Sequence, residues 1–482
     1  MKKLAFALAL IVAAGALFAF GCGKKQSERS LYEIECAYEN GVLEGSMDFT
    51  FYNDFPTAVK ELKFNLFPNA YREGAKYPAV SASAAAGAYY AGKSYGNIEI
   101  SAVRDEEGET EFSVGGADEN VLTVPLKREV FPEERYFLSV DFTVKLAKID
   151  HRLGIAKNAV NLGNFYPVLC GWDGGFYECV YYSSGDPFFS DCADYEVTFT
   201  AGENYVTAAS GELKKSVTEN GKTTNVYTLE NARDFALCLS EKFETMSAKA
   251  GDVTVNYYYI DDDAPLKSMQ YALKAVETFS SLFGKYPYRS LSVAETGFNE
   301  GGMEYPALVF ISERLEDAAF GEVIVHETAH QWWYAGVGNN EVEYGFLDEG
   351  LAEYSTVLFY EKNEGFGMTR PQMIEAAELT YHTFCNVYDK LFGKVDTSML
   401  RPLGEYSGEY EYVNIAYIKA CLMYETLRET VGDKMFFKGL SEYYEAYLYE
   451  EAEPQDLVGV YEKCGADTNG FFESFFDGSV IL

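Results

Sequence analysis

The chain has 482 residues, with 39 lysines and arginines against 75 aspartates and glutamates, a formal charge of −36 that excludes nucleic acid as a direct partner. Hydrophobic residues make up 48% and charged residues 24%, which excludes disorder over most of the chain and suits two or three domains with large cores. The acidity suits a soluble monomer first, and secondly a cleft that steers cationic peptides.

Met1-Lys2-Lys3 precedes an apolar run from Leu4 to Phe20, and Gly21-Cys22-Gly23 follows, giving the basic, apolar and small-residue regions of an export signal. Residues 1–21 are expected to be a signal peptide. Cys22, directly after a small residue, resembles the lipidation site of bacterial lipoproteins, so residues 22–30 are expected to be a lipid-anchored linker at the cell surface. Plain secretion and an uncleaved anchor are the alternatives. Eight further cysteines, an even number in an exported chain, permit disulfides without fixing a connectivity, and none has CxxC spacing.

From Leu31 to Ala248 the pattern has period two. Met47, Phe49 and Phe51 share one parity, as do Leu62, Phe64 and Leu66, then Leu138, Val140, Phe142, Val144 and Leu146, then Tyr195, Val197 and Phe199. This predicts an N-terminal domain of antiparallel strands, a saddle or sandwich, over 31–248. Residues 79–96 and 161–191 read as irregular excursions. Beyond the strand-like 253–260 the period becomes helical: Asp263 is the expected N-cap, and Leu266, Met269, Leu273, Val276 and Leu282 follow helical spacing up to Gly284. The fold class is α+β, with a mostly α domain over 249–482 that contains a small strand region at 291–309.

The helical segment 320–334 contains His326-Glu327-Thr328-Ala329-His330, half of the four histidines in the chain. HExxH spacing puts both imidazoles on one helix face, where they can hold one zinc ion, with Glu327 beside the metal's water. Such sites need a third ligand and an open fourth position. Glu349, separated from His330 by eighteen residues and next to the Leu347, Leu351, Tyr354 and Leu358 stripe of a second helix, is the candidate. His151 and His382 have no partner at ligand spacing and read as structural. Glu353, one turn after Glu349, can orient a zinc-binding histidine.

Four blocks in order, Gly301-Gly302-Met303-Glu304-Tyr305, His326 to Trp332, Leu347 to Tyr354 and Tyr417-Ile418-Lys419-Ala420, resemble the gluzincin metallopeptidases of the aminopeptidase N and leukotriene hydrolase type. The resemblance implies a saddle domain followed by a thermolysin-like catalytic domain, one zinc per chain on His326, His330 and Glu349, and Glu327 as general base. It further implies that Glu304, in a substrate-binding strand with Gly301, Gly302 and Met303, binds the free amino group of a peptide, and that Tyr417 stabilises the oxyanion, with Tyr412 as the second candidate. Tyr305 and Ala420 depart from the family's usual Asn and Gly. The long C-terminal helical domain of larger members has no counterpart after residue 482, which implies a more open cleft.

These residues together imply an aminopeptidase acting on peptides. An endopeptidase with an open cleft, and a surface lipoprotein that binds peptides without cleaving them, are the competing expectations.

Overall fold

A computed structural model describes residues 28–468 and 470–480. The expected signal peptide and Cys22 lie outside the described residues, and no helix among those residues is long and apolar enough to cross a membrane.

The period-two residues bury one sheet face, as alternation requires: Met47, Phe49, Phe51, Leu62, Phe64, Leu138, Val140 and Val144 are all solvent-inaccessible. The largest sheet has eight strands in the order Glu212–Glu219, Lys222–Ala232, Ala193–Gly202, Leu31–Glu39, Val42–Tyr52, Arg135–Lys145, Asn97–Asp105 and Gly108–Glu109. One pairing corrects the expectation of an all-antiparallel sheet, because Leu31–Glu39 runs parallel to Ala193–Gly202. A parallel neighbour needs a long crossover, and here the intervening chain builds most of the domain, including the four-stranded sheet that contains Val59–Asn65 and two of the four strands of the sheet that contains Val160–Leu162. Short strands at Val160–Leu162 and Val168–Leu169 also order the start of the excursion read as irregular.

The second half is built on a five-stranded sheet ordered Glu244–Ala250, Val253–Tyr259, Ser290–Thr296, Leu308–Ser312 and Gly302–Met303. Its first strand straddles the expected boundary at 248/249, so the sheets divide ahead of Glu244. Gly302–Met303 is the edge strand, antiparallel to Leu308–Ser312. Helix Pro265–Leu282 buries Met269, Leu273 and Val276, but Leu266 is 76% exposed and the N-cap is Ala264, whose N–H donates to Asp262. The helix therefore starts one residue later than the Asp263 cap implies.

Helix Asp317–Ala329 crosses Pro265–Leu282 at Gly321, where a Cβ would collide with the Tyr271 ring. Helix Phe346–Lys362 meets Ala420–Val431 at an equally close contact, Gly350 against Ala420. Small residues at these crossings bring the helices near enough for their polar side chains to converge. Arg233, 2% exposed, ties the two halves together: it donates from Nε to the Tyr334 carbonyl at 2.6 Å and from Nη2 to the Glu450 carbonyl at 2.8 Å, and pairs with Glu451. The eight cysteines among the described residues are unbridged, seven of them buried.

Candidate active site

His326 lies in helix Asp317–Ala329 and His330 caps its end, one turn later. Their Nε2 atoms are 3.1 Å apart. Glu349, in the first turn of Phe346–Lys362, places Oε2 3.3 Å from His326 Nε2 and 3.2 Å from His330 Nε2. Ligand atoms about 2.0–2.1 Å from a tetrahedral zinc are about 3.3–3.4 Å from one another, so this triangle has the size that zinc requires. The protonation pattern agrees. His330 Nδ1 donates to the Trp333 carbonyl at 2.9 Å, and His326 Nδ1 faces Glu353 Oε2 at 3.2 Å, so that in its neutral form each ring turns an Nε2 lone pair toward the shared point. Two lone pairs and a carboxylate oxygen aimed at one point call for a cation, and nitrogen with carboxylate donors suits zinc.

Burial opposes charge throughout this cluster. It works against charged His326 and His330, yet the Glu349 carboxylate raises both; conversely, burial pushes Glu349 up while the two imidazoles hold it at about 2. Glu327 is pushed up to about 7, by burial first and against the pull of both histidines.

The helix of the two histidines and the turn after it run alongside the edge strand and the residues that flank it. Val323 approaches Gly301, Glu327 packs directly on Gly302, where a Cβ would strike the carboxylate, and Gln331 donates to the carbonyls of Glu304 at 3.3 Å and Tyr305 at 3.1 Å. Gln331 Oε1 also accepts the Ala307 N–H at 2.8 Å. Gln331 thus clips helix to strand, a role no sequence spacing marks. Glu304 is 4% exposed and Glu327 5%, and each keeps one carboxylate oxygen, Oε1 and Oε2 respectively, without a hydrogen-bond partner among the described residues. Burial, then Asp186, Glu327 and Glu349, raise the Glu304 carboxyl well above its ordinary range. Tyr305 is buried against Gly163 rather than lining the cleft.

The β-rich half supplies a wall. Arg152 donates to Asp186 at 2.5 Å and to the Met303 sulfur at 3.0 Å, and lies 3.4 Å from Glu300. His151, fully buried, bonds Tyr71 at 2.6 Å and stands 3.3 Å from Glu300. His382 is exposed on helix Arg370–Phe392. Arg152 and Asp186 reach the cleft by long-range packing alone and carry no motif.

Tyr417 sits in a π-helical segment, Val413–Lys419, inserted between Glu409–Tyr412 and Ala420–Val431. Such segments are rare and concentrate at functional sites. Its hydroxyl donates to Glu349 Oε1, and its ring lies parallel to that of His326 with centroids 6.0 Å apart. Tyr412, five residues earlier, also lines the cleft, its ring 5.8 Å from that of Tyr417. The buried Lys419 pins the segment, donating to the carbonyls of Thr397 at 2.6 Å and Phe475 at 2.8 Å, although burial lowers its ammonium to about 8.

An HExxH pair completed by a glutamate from a following helix, with a second glutamate beside it, defines a gluzincin metallopeptidase site. Residues 267–475 match the peptidase family M1 domain. The chain is similar to aminopeptidase N of Haemonchus contortus, 24% identical over 226 residues that make up 42% of this chain and 22% of that protein. It is also similar to aminopeptidase B of Rattus norvegicus, 27% identical over 219 residues, 41% of this chain and 32% of that one. The chain thus spans about a third or less of the length of these curated relatives. The crystal structure of an M1 zinc metallopeptidase from Deinococcus radiodurans shares the fold, with a TM-score of 0.67 and 18% identity, each chain covered over 94%. A mutant of that enzyme bound to a Tyr-Ser-Ala substrate matches with a TM-score of 0.64.

Proposed function

We propose that the protein is a zinc-dependent aminopeptidase, with His326, His330 and Glu349 holding one zinc ion. The ion, when bound, polarises the substrate carbonyl and makes water nucleophilic at neutral pH. Glu327 then takes the proton of the attacking water and passes it to the leaving amine, a task suited to a carboxyl that burial pushes up to about 7. The Tyr417 hydroxyl turns from Glu349 to the carbonyl oxygen as charge develops there. Glu304 receives the amino terminus.

One observation carries the exopeptidase reading: Glu304 keeps an unpartnered oxygen in the same cavity as the three ligand atoms, and an ammonium group is the partner it lacks. The Tyr-Ser-Ala complex of the similarly folded enzyme is consistent with this reading. Matched peptides with free and acetylated amino ends test it. The free form is expected to be cleaved a hundredfold or more faster, since each ~1.4 kcal/mol is tenfold and the lost contact is charged. Equal rates would replace it with the endopeptidase reading, and binding without cleavage would leave the peptide-binding lipoprotein.

Export and anchoring through a lipid on Cys22 belong to the same proposal, supported by the sequence of residues 1–23 alone. Cys22→Ser is expected to release the protein from the membrane fraction.

A further inference from the structure

The register between zinc helix and edge strand gives the cleft a direction. Glu304 lies at the Gln331 end, Glu327 stands beside Gly302, and Val323 approaches Gly301. If the amino terminus sits at Glu304, as proposed above, the substrate runs past Glu327 toward Val323 and Glu322. One helical turn separates Glu327 from Val323, about 6 Å. That is about two residues of extended chain beyond the scissile carbonyl.

The carboxylates of this cavity, which has a volume of about 340 Å3, are mostly committed. Glu349 faces both histidines, Glu353 faces His326, and Asp186 and Glu300 share Arg152. Arg152, the cavity's one guanidinium among the described residues, is thereby neutralised. Glu322, half-buried, and Glu409, exposed at the rim, differ, since neither carboxylate has a hydrogen bond or ion pair among the described residues. Burial raises both carboxyls first, and each also feels a like charge, Glu322 from Glu353, against the pull of His326, and Glu409 from Glu300. Beside each carboxylate on the cavity wall is a valine: Val323 follows Glu322, and Val413 lies one turn after Glu409. An aliphatic surface topped by an unpaired carboxylate matches an alkyl stem ending in a cation. The same cavity contains the buried, unpartnered oxygens of Glu304 and Glu327, so its free acceptors extend from the amine end to the far wall.

We propose that Glu322 and Glu409 receive a lysine or arginine side chain at the second or third residue of the substrate, so that the preferred peptides are basic just beyond the bond that is cut. The cation relieves two repulsions. An acidic residue at the same place adds a third like charge.

The test reads binding, so that it stands apart from turnover. Zinc-loaded Glu327→Gln protein is titrated calorimetrically with Ala-Lys-Ala, Ala-Ala-Lys, Ala-Ala-Ala and Ala-Glu-Ala. At least one lysine peptide is expected to bind about fivefold or more tighter than Ala-Ala-Ala, and Ala-Glu-Ala more weakly, with the advantage shrinking in salt. Glu322→Gln and Glu409→Gln, each added to that protein, are expected to reduce the lysine-to-alanine ratio. Equal binding of lysine and alanine peptides, or a lysine preference unchanged in both variants, overturns the inference. Acetylated Ala-Lys-Ala separates the two readings: undiminished binding with an intact lysine preference removes Glu304 as the amine site and keeps Glu322 and Glu409 as the basic subsite. If no peptide binds, both readings fall.

Discussion

His326 and His330 present their Nε2 atoms to each other at 3.1 Å, each ring's other nitrogen being engaged, by Glu353 and by the Trp333 carbonyl respectively. The pair is thus arranged to share a metal ion rather than a proton. One zinc per chain is expected by elemental analysis, with His326→Ala and Glu349→Ala losing most of it, and zinc binding should release protons, since both imidazoles are raised in the metal-free protein. Full zinc occupancy in His326→Ala would overturn the ligand assignment.

Glu327→Gln is expected to keep the metal and to lose activity by roughly 10²-fold or more, while Tyr417→Phe lowers kcat by roughly 10² to 10³ with zinc content unchanged. Tyr412→Phe should have the smaller effect, because it is the Tyr417 hydroxyl that bonds Glu349. Reversal of the two tyrosine effects exchanges their roles.

The two glycines of the edge strand should respond differently to alanine. At Gly302 a Cβ strikes the Glu327 carboxylate, whereas at Gly301 the nearest atom is Val323 Cγ2 at 3.6 Å, an ordinary contact. Gly302→Ala is expected to lose at least tenfold in kcat/KM with little change in melting temperature, and Gly301→Ala to stay near the parental rate. Similar kinetics for both would mean that Glu327 is not held by the strand.

Asp234, 1% exposed at the junction of the two halves, accepts from Tyr334 at 2.8 Å and keeps Oδ1 unpartnered. Burial pushes its carboxyl up to about 6 despite the bonds from Tyr334 and Asn164. A folded value above the unfolded one, about 3.9, makes a contribution to stability that is present below pH 4 and lost as pH rises through 6. Asp234→Asn should therefore flatten the fall in melting temperature between pH 4 and 6. An unchanged slope would show that Asp234 stays ionised in the folded protein.

Much of the site was legible because its parts are local. HExxH needs one helix, and the Leu347, Leu351, Tyr354 and Leu358 stripe, every member of it buried, already oriented the helix that carries Glu349. Strand parity gave the burial of the β-rich half for the same reason. What escaped depends on long-range packing. The parallel pairing of Leu31–Glu39 with Ala193–Gly202 has no signature in either strand, and Gln331, Arg152 and Asp186 become meaningful only when the edge strand and the β-rich half close on the zinc helix. Leu266 matched helical spacing yet faces solvent, since spacing at a helix's first turn does not reveal where the neighbouring sheet ends.

The π segment that carries Tyr417 also makes the site sensitive to chain length. Its turns hold more residues than those of the α-helices on either side, and only with that surplus do Tyr412 and Tyr417, five apart, both line the cleft. In ordinary α-helix five residues would turn one tyrosine by about 140° from the other, whereas four would bring the two back within about 40°, so the rings share a face only through the π turn or through the loss of one residue between them. The constraint is therefore on counting rather than on identity: a single deletion between Tyr412 and Tyr417 can keep both on one face as plain α-helix, whereas a single insertion there would part them, and substitution leaves the backbone register intact.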